Sequence, residues 1–124
     1  MKKLLIVDDE TDLLQGMELL LTKFGYKVKT ATSHKTLLPI VYSFQPDIII
    51  LDVMLGHEDG RDICKALKQN PITKEICIML FSASPEKGKN YQDYLADGWL
   101  DKPFDTQSIA SKLDSLCTNK LSNN

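Results

Sequence analysis

The chain has 124 residues, a formal charge of −2, 43% hydrophobic residues and 26% charged residues. That length suits one domain with one core, and that balance excludes a disordered chain. Fourteen lysines and a single arginine, Arg61, are spread along the chain, which leaves no basic stripe and disfavours a DNA-binding role for this domain.

The first residues, Met1-Lys2-Lys3-Leu4-Leu5-Ile6-Val7, have the basic start of a secretory leader, but Asp8, Asp9 and Glu10 cut the apolar run after four residues. A leader needs about 7–15 apolar residues and a membrane-spanning helix about 20. A cytoplasmic protein is expected, with no membrane partner. Cys64, Cys77 and Cys117 are odd in number and lack C-x-x-C spacing; reduced, mostly buried thiols fit a reducing compartment.

Strand and helix signals then alternate. Lys2–Val7 reads as a strand. Leu13, Leu14, Met17, Leu20, Leu21 and Phe24 recur at helical spacing until Gly25 stops the helix. Lys27–Ala31 reads as a second strand. Ser33 can cap a helix carrying Leu37, Leu38, Val41 and Phe44, and Pro39 inside it predicts a kink or a late start. Asp47–Leu51 is a third strand, and Asp59–Gln69 a helix with Ile63, Ala66 and Leu67 inward. Ile76–Phe81 is a fourth strand, Pro85–Ala96 a weaker helix, Gly98–Leu100 a short strand and Asp105–Cys117 a last helix. Residues 1–118 form the domain, and 119–124 a polar tail.

Continuous aliphatic runs such as Ile48-Ile49-Ile50-Leu51 mark strands buried on both faces. Five strands alternating with five helices imply an α/β fold, a parallel sheet covered on both faces through right-handed crossovers. Ligands in such sheets sit beyond the carboxyl ends of the strands, at the switch in strand order. Asp8, Asp9, Asp52, Ser82 and Lys102 all fall at or just past predicted strand ends. Carboxylates gathered at one edge repel each other, and a hard divalent cation such as Mg²⁺ relieves this. With the metal and Lys102 to neutralise charge, Asp52 can act as a nucleophile on phosphorus.

These residues resemble the receiver domain of two-component response regulators. The segments are Val7-Asp8-Asp9-Glu10, Pro46 through Met54, Asp59-Gly60, Ile78 through Ala83, and Lys102-Pro103-Phe104, in order over Lys3 to about Leu116. The resemblance implies a flavodoxin-like doubly wound (βα)5 fold, strand order 2-1-3-4-5. It implies that Asp52 accepts a phosphoryl group, that Asp9 binds Mg²⁺ (or Mn²⁺) directly, that Asp8 helps through water, and that the Met54 carbonyl completes the protein ligands. It further implies that Lys102 pairs with the phosphoryl group, that Ser82 is a switch hydroxyl, that Trp99 is an aromatic switch, and that Lys102-Pro103 is a cis peptide. The partners implied are a sensor histidine kinase or phosphotransfer protein and a downstream target protein. The domain would catalyse only its own phosphorylation and dephosphorylation.

The chain departs from that pattern in three ways, one being Trp99 in place of the commoner Tyr or Phe. Gly56 stands where the family usually has Pro, so the loop Leu55–Gly60 is expected to be looser. The interval from Ser82 to Lys102 is a residue or two short, so the fourth helix is expected to be short or irregular. His57 reads as an exposed loop residue, His34 as structural, and Tyr91 and Tyr94 as helix packing. The chain ends soon after its last helix, which suits a stand-alone receiver, an excised domain being the alternative. A receiver-like interaction module working without phosphorylation is the competing function. A haloacid-dehalogenase-like phosphatase is disfavoured, because Asp8-Asp9-Glu10 is not its Asp-x-Asp pattern and no cap domain is present.

Overall fold

The aliphatic runs form five parallel strands: β1 (Lys3–Val7), β2 (Lys27–Ala31), β3 (Ile48–Asp52), β6 (Cys77–Ser82) and β7 (Gly98–Asp101). Between them lies a small antiparallel hairpin of β4 (Met54–Leu55) and β5 (Glu58–Asp59). Among the described residues the helices are α1 (Thr11–Lys23), α2 (His34–Phe44), α3 (Gly60–Gln69) and α4 (Thr106–Ser122), with one 3-10 turn at Tyr91–Tyr94. This computed structural model describes residues 2–83, 90–102 and 106–122, the side chains of Thr106 and of residues 116–122 excepted.

The sheet order is β2-β1-β3-β6-β7, which is the expected 2-1-3-4-5 order with the hairpin strands left out of the count. Successive side chains of a strand point to opposite faces, and both faces here are apolar. Leu5, Val7, Ile49, Leu51, Ile78 and Leu80 pack with Leu37 and Val41 of α2 and Ile63, Cys64 and Leu67 of α3. Leu4, Ile6, Ile48, Ile50, Met79 and Phe81 pack with Leu14, Met17 and Leu21 of α1 and Ile109 and Leu113 of α4. The central strands are therefore buried along their whole length, and their polar continuations emerge together at one edge.

Several local expectations change. α2 does not start late: Ser33 and Thr36 form a reciprocal capping box that starts the helix at His34. Pro39 sits within it on an exposed position, where water can satisfy the carbonyl that the missing N–H leaves unpaired. In α3 the third buried residue is Cys64, and Ala66 is exposed. The predicted helix over Pro85–Ala96 is a single 3-10 turn in its described part, closed by Leu95 at φ 65°; residues 84–89 lie outside the described residues. The last helix runs past Cys117 to Ser122, into the stretch expected to be a tail. Cys64 is a free, buried thiol as expected, whereas Cys77 is disulfide-bonded and not reduced.

Candidate functional site

Three strand ends deliver the acids. Asp8 follows β1 directly, is completely buried, and accepts a hydrogen bond from the Glu10 backbone N–H to Oδ1 at 2.9 Å. Asp52 is the last residue of β3, 3% exposed, and accepts from the Met54 N–H to Oδ1 at 3.1 Å. Asp9 is exposed, and its Oδ2 accepts from the Gly56 N–H at 3.2 Å. Each carboxylate is thus oriented by one backbone donor. Oxygens of all three lie within 4.8 Å of one another.

Lys102 enters from the end of β7. Its backbone N–H donates to the Ser82 carbonyl at 2.8 Å, which joins it to the end of β6. Its ammonium lies 2.9 Å from Asp8 Oδ2 and 3.4 Å from Asp52 Oδ2, and 4.5 Å from the centre of the Phe81 ring. Ser82 is 1% exposed and sits opposite Asp101 in the sheet register. Met54 is 55% exposed at the rim.

α3 begins against the floor of this site. Asp59 caps it by accepting from the Arg61 N–H at 2.9 Å, and the Gly60 N–H donates to the Val53 carbonyl at 2.7 Å. A Cβ at Gly60 would overlap the Asp52 carbonyl oxygen. Only glycine permits this approach, so Asp59-Gly60 is a packing requirement of the Asp52 backbone.

Burial raises the Asp52 carboxyl, and the Asp8 charge raises it further; Lys102 and the Met54 N–H pull the other way, and the result is about 7. Burial lowers Lys102, but its hydrogen bond to Asp8 and the charges of Asp52 and Asp8 outweigh this and raise it. The proton that Asp52 holds up to about pH 7 relieves its repulsion with the neighbouring Asp8 when no metal does. The donor set also fits a hard divalent ion: several carboxylate oxygens with open water around the exposed Asp9 and Met54 suit Mg²⁺.

Every site residue named from the sequence other than Trp99 lies at this edge. Lys102 stands closer to Asp8 than to Asp52, which strand-end reasoning did not reveal. The Gly56 N–H and the Phe81 ring were also missed; the only sequence signal was Gly56 itself. Trp99 is half-buried on β7 against the α2–α3 side of the core. Lys112 of α4 donates to the Trp99 carbonyl at 2.6 Å and lies 5.0 Å from its ring centre. The Lys102-Pro103 bond lies outside the described residues.

The expected looseness of the Leu55–Gly60 loop is not found. Met54 pairs with Asp59 and Leu55 with Glu58, and Gly56 turns the hairpin at φ +63°. Proline, held near φ −65°, could neither adopt that angle nor donate to Asp9. His57 is exposed at the tip. His34 reaches across to it from α2, its Nδ1 3.0 Å from Glu58 Oε2. Tyr91 packs on the core, and Tyr94 lies under the Arg61 guanidinium at 4.9 Å.

The sequence profile of the response regulator receiver domain matches residues 4–114. The chain belongs to the response regulator receiver family. Among curated relatives, this receiver domain is 35% identical over 121 residues to the response regulator PleD of Caulobacter vibrioides, covering 96% of the chain and 27% of that protein. It is 34% identical over 116 residues to the alkaline phosphatase synthesis transcriptional regulatory protein PhoP of Bacillus subtilis, covering 93% of the chain and 48% of that protein. The chain therefore spans about a quarter to a half of the length of these relatives. Among solved structures, the chemotaxis protein CheY4 of Vibrio cholerae superposes with a TM-score of 0.85 at 30% identity, covering 94% of this chain and 98% of that one. A signal receiver domain from Bermanella marisrubri gives 0.85 at 26% identity, covering 92% and 96%.

Proposed function

We propose that this receiver domain accepts a phosphoryl group on Asp52 from a phosphohistidine, carried by a sensor histidine kinase or a phosphotransfer protein, in a Mg²⁺-dependent reaction. The observation that carries this reading is the placement of Lys102 between the buried Asp8 and Asp52, beside an exposed Asp9.

Asp8, Asp9, Asp52 and the Met54 carbonyl would hold the ion. When bound, Mg²⁺ withdraws charge from the oxygens of the transferring phosphoryl group. The ionised Asp52 attacks phosphorus through Oδ2, since Oδ1 is held by the Met54 N–H. An O–P bond forms, the P–N bond to histidine breaks, and the imidazole leaves with its electron pair. Lys102 exchanges Asp52 Oδ2 for a phosphoryl oxygen, and the Ser82 hydroxyl donates to another. Burial around Asp52 and Ser82 limits water, so hydrolysis resets the switch slowly.

The new charge and acceptor oxygens draw Ser82 and Lys102 inward, and the strand ends carry this to Trp99 and the surface of β7 and α4, where a target protein reads it. The protein turns over no separate substrate. Among the described residues no helix is long and apolar enough to cross a membrane. Action in the cytoplasm, without nucleic-acid contacts by this domain, is part of the same proposal.

The test is the intact mass after incubation with Mg²⁺ and acetyl phosphate. One phosphoryl adduct, not formed when Mg²⁺ is chelated beforehand and absent in Asp52→Asn, is the expected result. No adduct from acetyl phosphate or from phosphorylated kinase, with the fold intact, would favour an interaction module that works without phosphorylation.

A further inference from the structure

The site is built on loops, and one of them is a hairpin with two residues in each strand. So short a ribbon does not hold its shape alone. Leu55 anchors one strand in the core, and Asp59 ends the other as the cap of α3. The tip between them carries the Gly56 N–H that orients Asp9. On the outer strand Glu58 Oε2 meets His34 Nδ1 at 3.0 Å. An ionised carboxylate only accepts, so His34 Nδ1 carries the hydrogen and donates. His34 is the first residue of α2, and the Ser33–Thr36 capping box fixes its backbone. Glu58 in turn pairs directly with Leu55, the residue between Met54 and Gly56.

We propose that His34 and Glu58 form a positioning latch: α2 grips the hairpin so that the Met54 carbonyl and the Gly56 N–H, acting through Asp9, are already placed for a divalent cation. This rests on the reading above only in taking Met54 and Asp9 as ligands. The latch offsets what Gly56 costs. Glycine supplies the positive φ and the donor, but it adds conformational freedom that a proline would remove. Both latch side chains are partly exposed, 37% for His34 and 47% for Glu58. A hydrogen bond between side chains this exposed is weak, so the effect on Mg²⁺ binding is roughly two- to five-fold.

The experiment is Mg²⁺ titration by calorimetry on the metal-free full chain, with His34→Ala, Glu58→Ala, the double variant and His34→Lys. Amide exchange at Gly56 is followed in the metal-free proteins. Each single variant should weaken Mg²⁺ binding about two- to five-fold and speed Gly56 exchange by a similar factor, with the thermal midpoint nearly unchanged. The double variant should be no weaker than either single one, and His34→Lys should match the parent because a lysine there can still pair with Glu58. Parent-like affinity and Gly56 exchange in both single variants would overturn the latch, as would additive losses in the double. A parent protein that binds Mg²⁺ but takes no phosphoryl group from acetyl phosphate or kinase removes the phosphoacceptor reading and leaves the latch standing. A parent that binds no Mg²⁺ overturns both.

Discussion

Gly60 lies directly against Asp52: a methyl group at its Cα would overlap the Asp52 carbonyl oxygen, with the Asp52 carbonyl carbon at 2.9 Å and the Val53 Cα at 3.1 Å. These neighbours are backbone, and backbone cannot swing aside as a flexible side chain can. Gly60→Ala should therefore destabilise the fold by about 2 kcal/mol or more and displace Asp52. Urea unfolding reads the first effect, and the yield of phosphoryl adduct the second. An alanine variant with parent stability would show that α3 can slide without cost.

Stability should fall as pH rises. The Asp52 carboxyl is raised from 3.8 to about 7, so the folded chain holds a proton that the unfolded chain releases near pH 4. The folded state binds more protons in that interval, which makes the slope of unfolding free energy against pH negative. The stabilisation is complete below about pH 4, is lost progressively up to about pH 7, and is absent above it. The change is at most about 4 kcal/mol. Thermal unfolding across this range should show the slope, and Asp52→Asn, which has no proton to lose, should flatten it.

Mg²⁺ binding has the opposite pH dependence. The ion competes with the proton on Asp52, so affinity should increase up to about pH 7 and level off beyond it. Calorimetry in buffers of different ionisation enthalpy should detect proton release below pH 7. A pH-independent affinity would mean that Asp52 is already ionised at pH 5.

Lys102→Met removes the cation that stands 2.9 Å from Asp8 and 3.4 Å from Asp52. The two buried acids then face each other with only the Asp52 proton to relieve their repulsion. Without metal the variant should lose about 1–3 kcal/mol at pH 7.5, and saturating Mg²⁺ should restore most of this by supplying the missing charge. The phosphoryl adduct should form far more slowly at either Mg²⁺ level. Equal losses with and without Mg²⁺ would mean that Lys102 stabilises through packing on Phe81 and not through charge.

Gly56→Pro would restore the residue usual in the family, yet it should weaken this protein. The position has φ +63° and its N–H serves Asp9; proline offers neither. Mg²⁺ affinity should drop several-fold, more than in Gly56→Ala, which keeps the donor and suffers only the strain of about 1–2 kcal/mol for a left-handed alanine. Proline matching alanine would show that the N–H contributes nothing.

Much of this was readable without coordinates. Ile48 to Leu51 and Leu4 to Val7 could only be strands buried on both faces, and the acids following them had to leave the core at one edge. Arg61 at the start of the third helix and Ser33 as a cap were equally local. The hairpin was not: two residues per strand carry no periodicity, and the absence of a proline at position 56 suggested looseness where pairing and a donor to Asp9 produced order. Nor was the exposure of Ala66 legible, since Cys64 filled its place in the core with equal hydrophobic character.

The amino-acid sequence by itself determined the central strands and the identity of the charged residues at their ends, because burial of continuous aliphatic runs is a local property of composition and spacing; the strand order came only through the resemblance to the receiver family. Tertiary structure decided how those charges are shared. Lys102 and Asp8 are 94 residues apart in the chain, and His34 and Glu58 are 24 apart. Which carboxylate the ammonium prefers, and which helix end grips the hairpin, follow from the three-dimensional register of β1, β3 and β7 and the packing of α2, where distances of a few tenths of an ångström set the electrostatic balance.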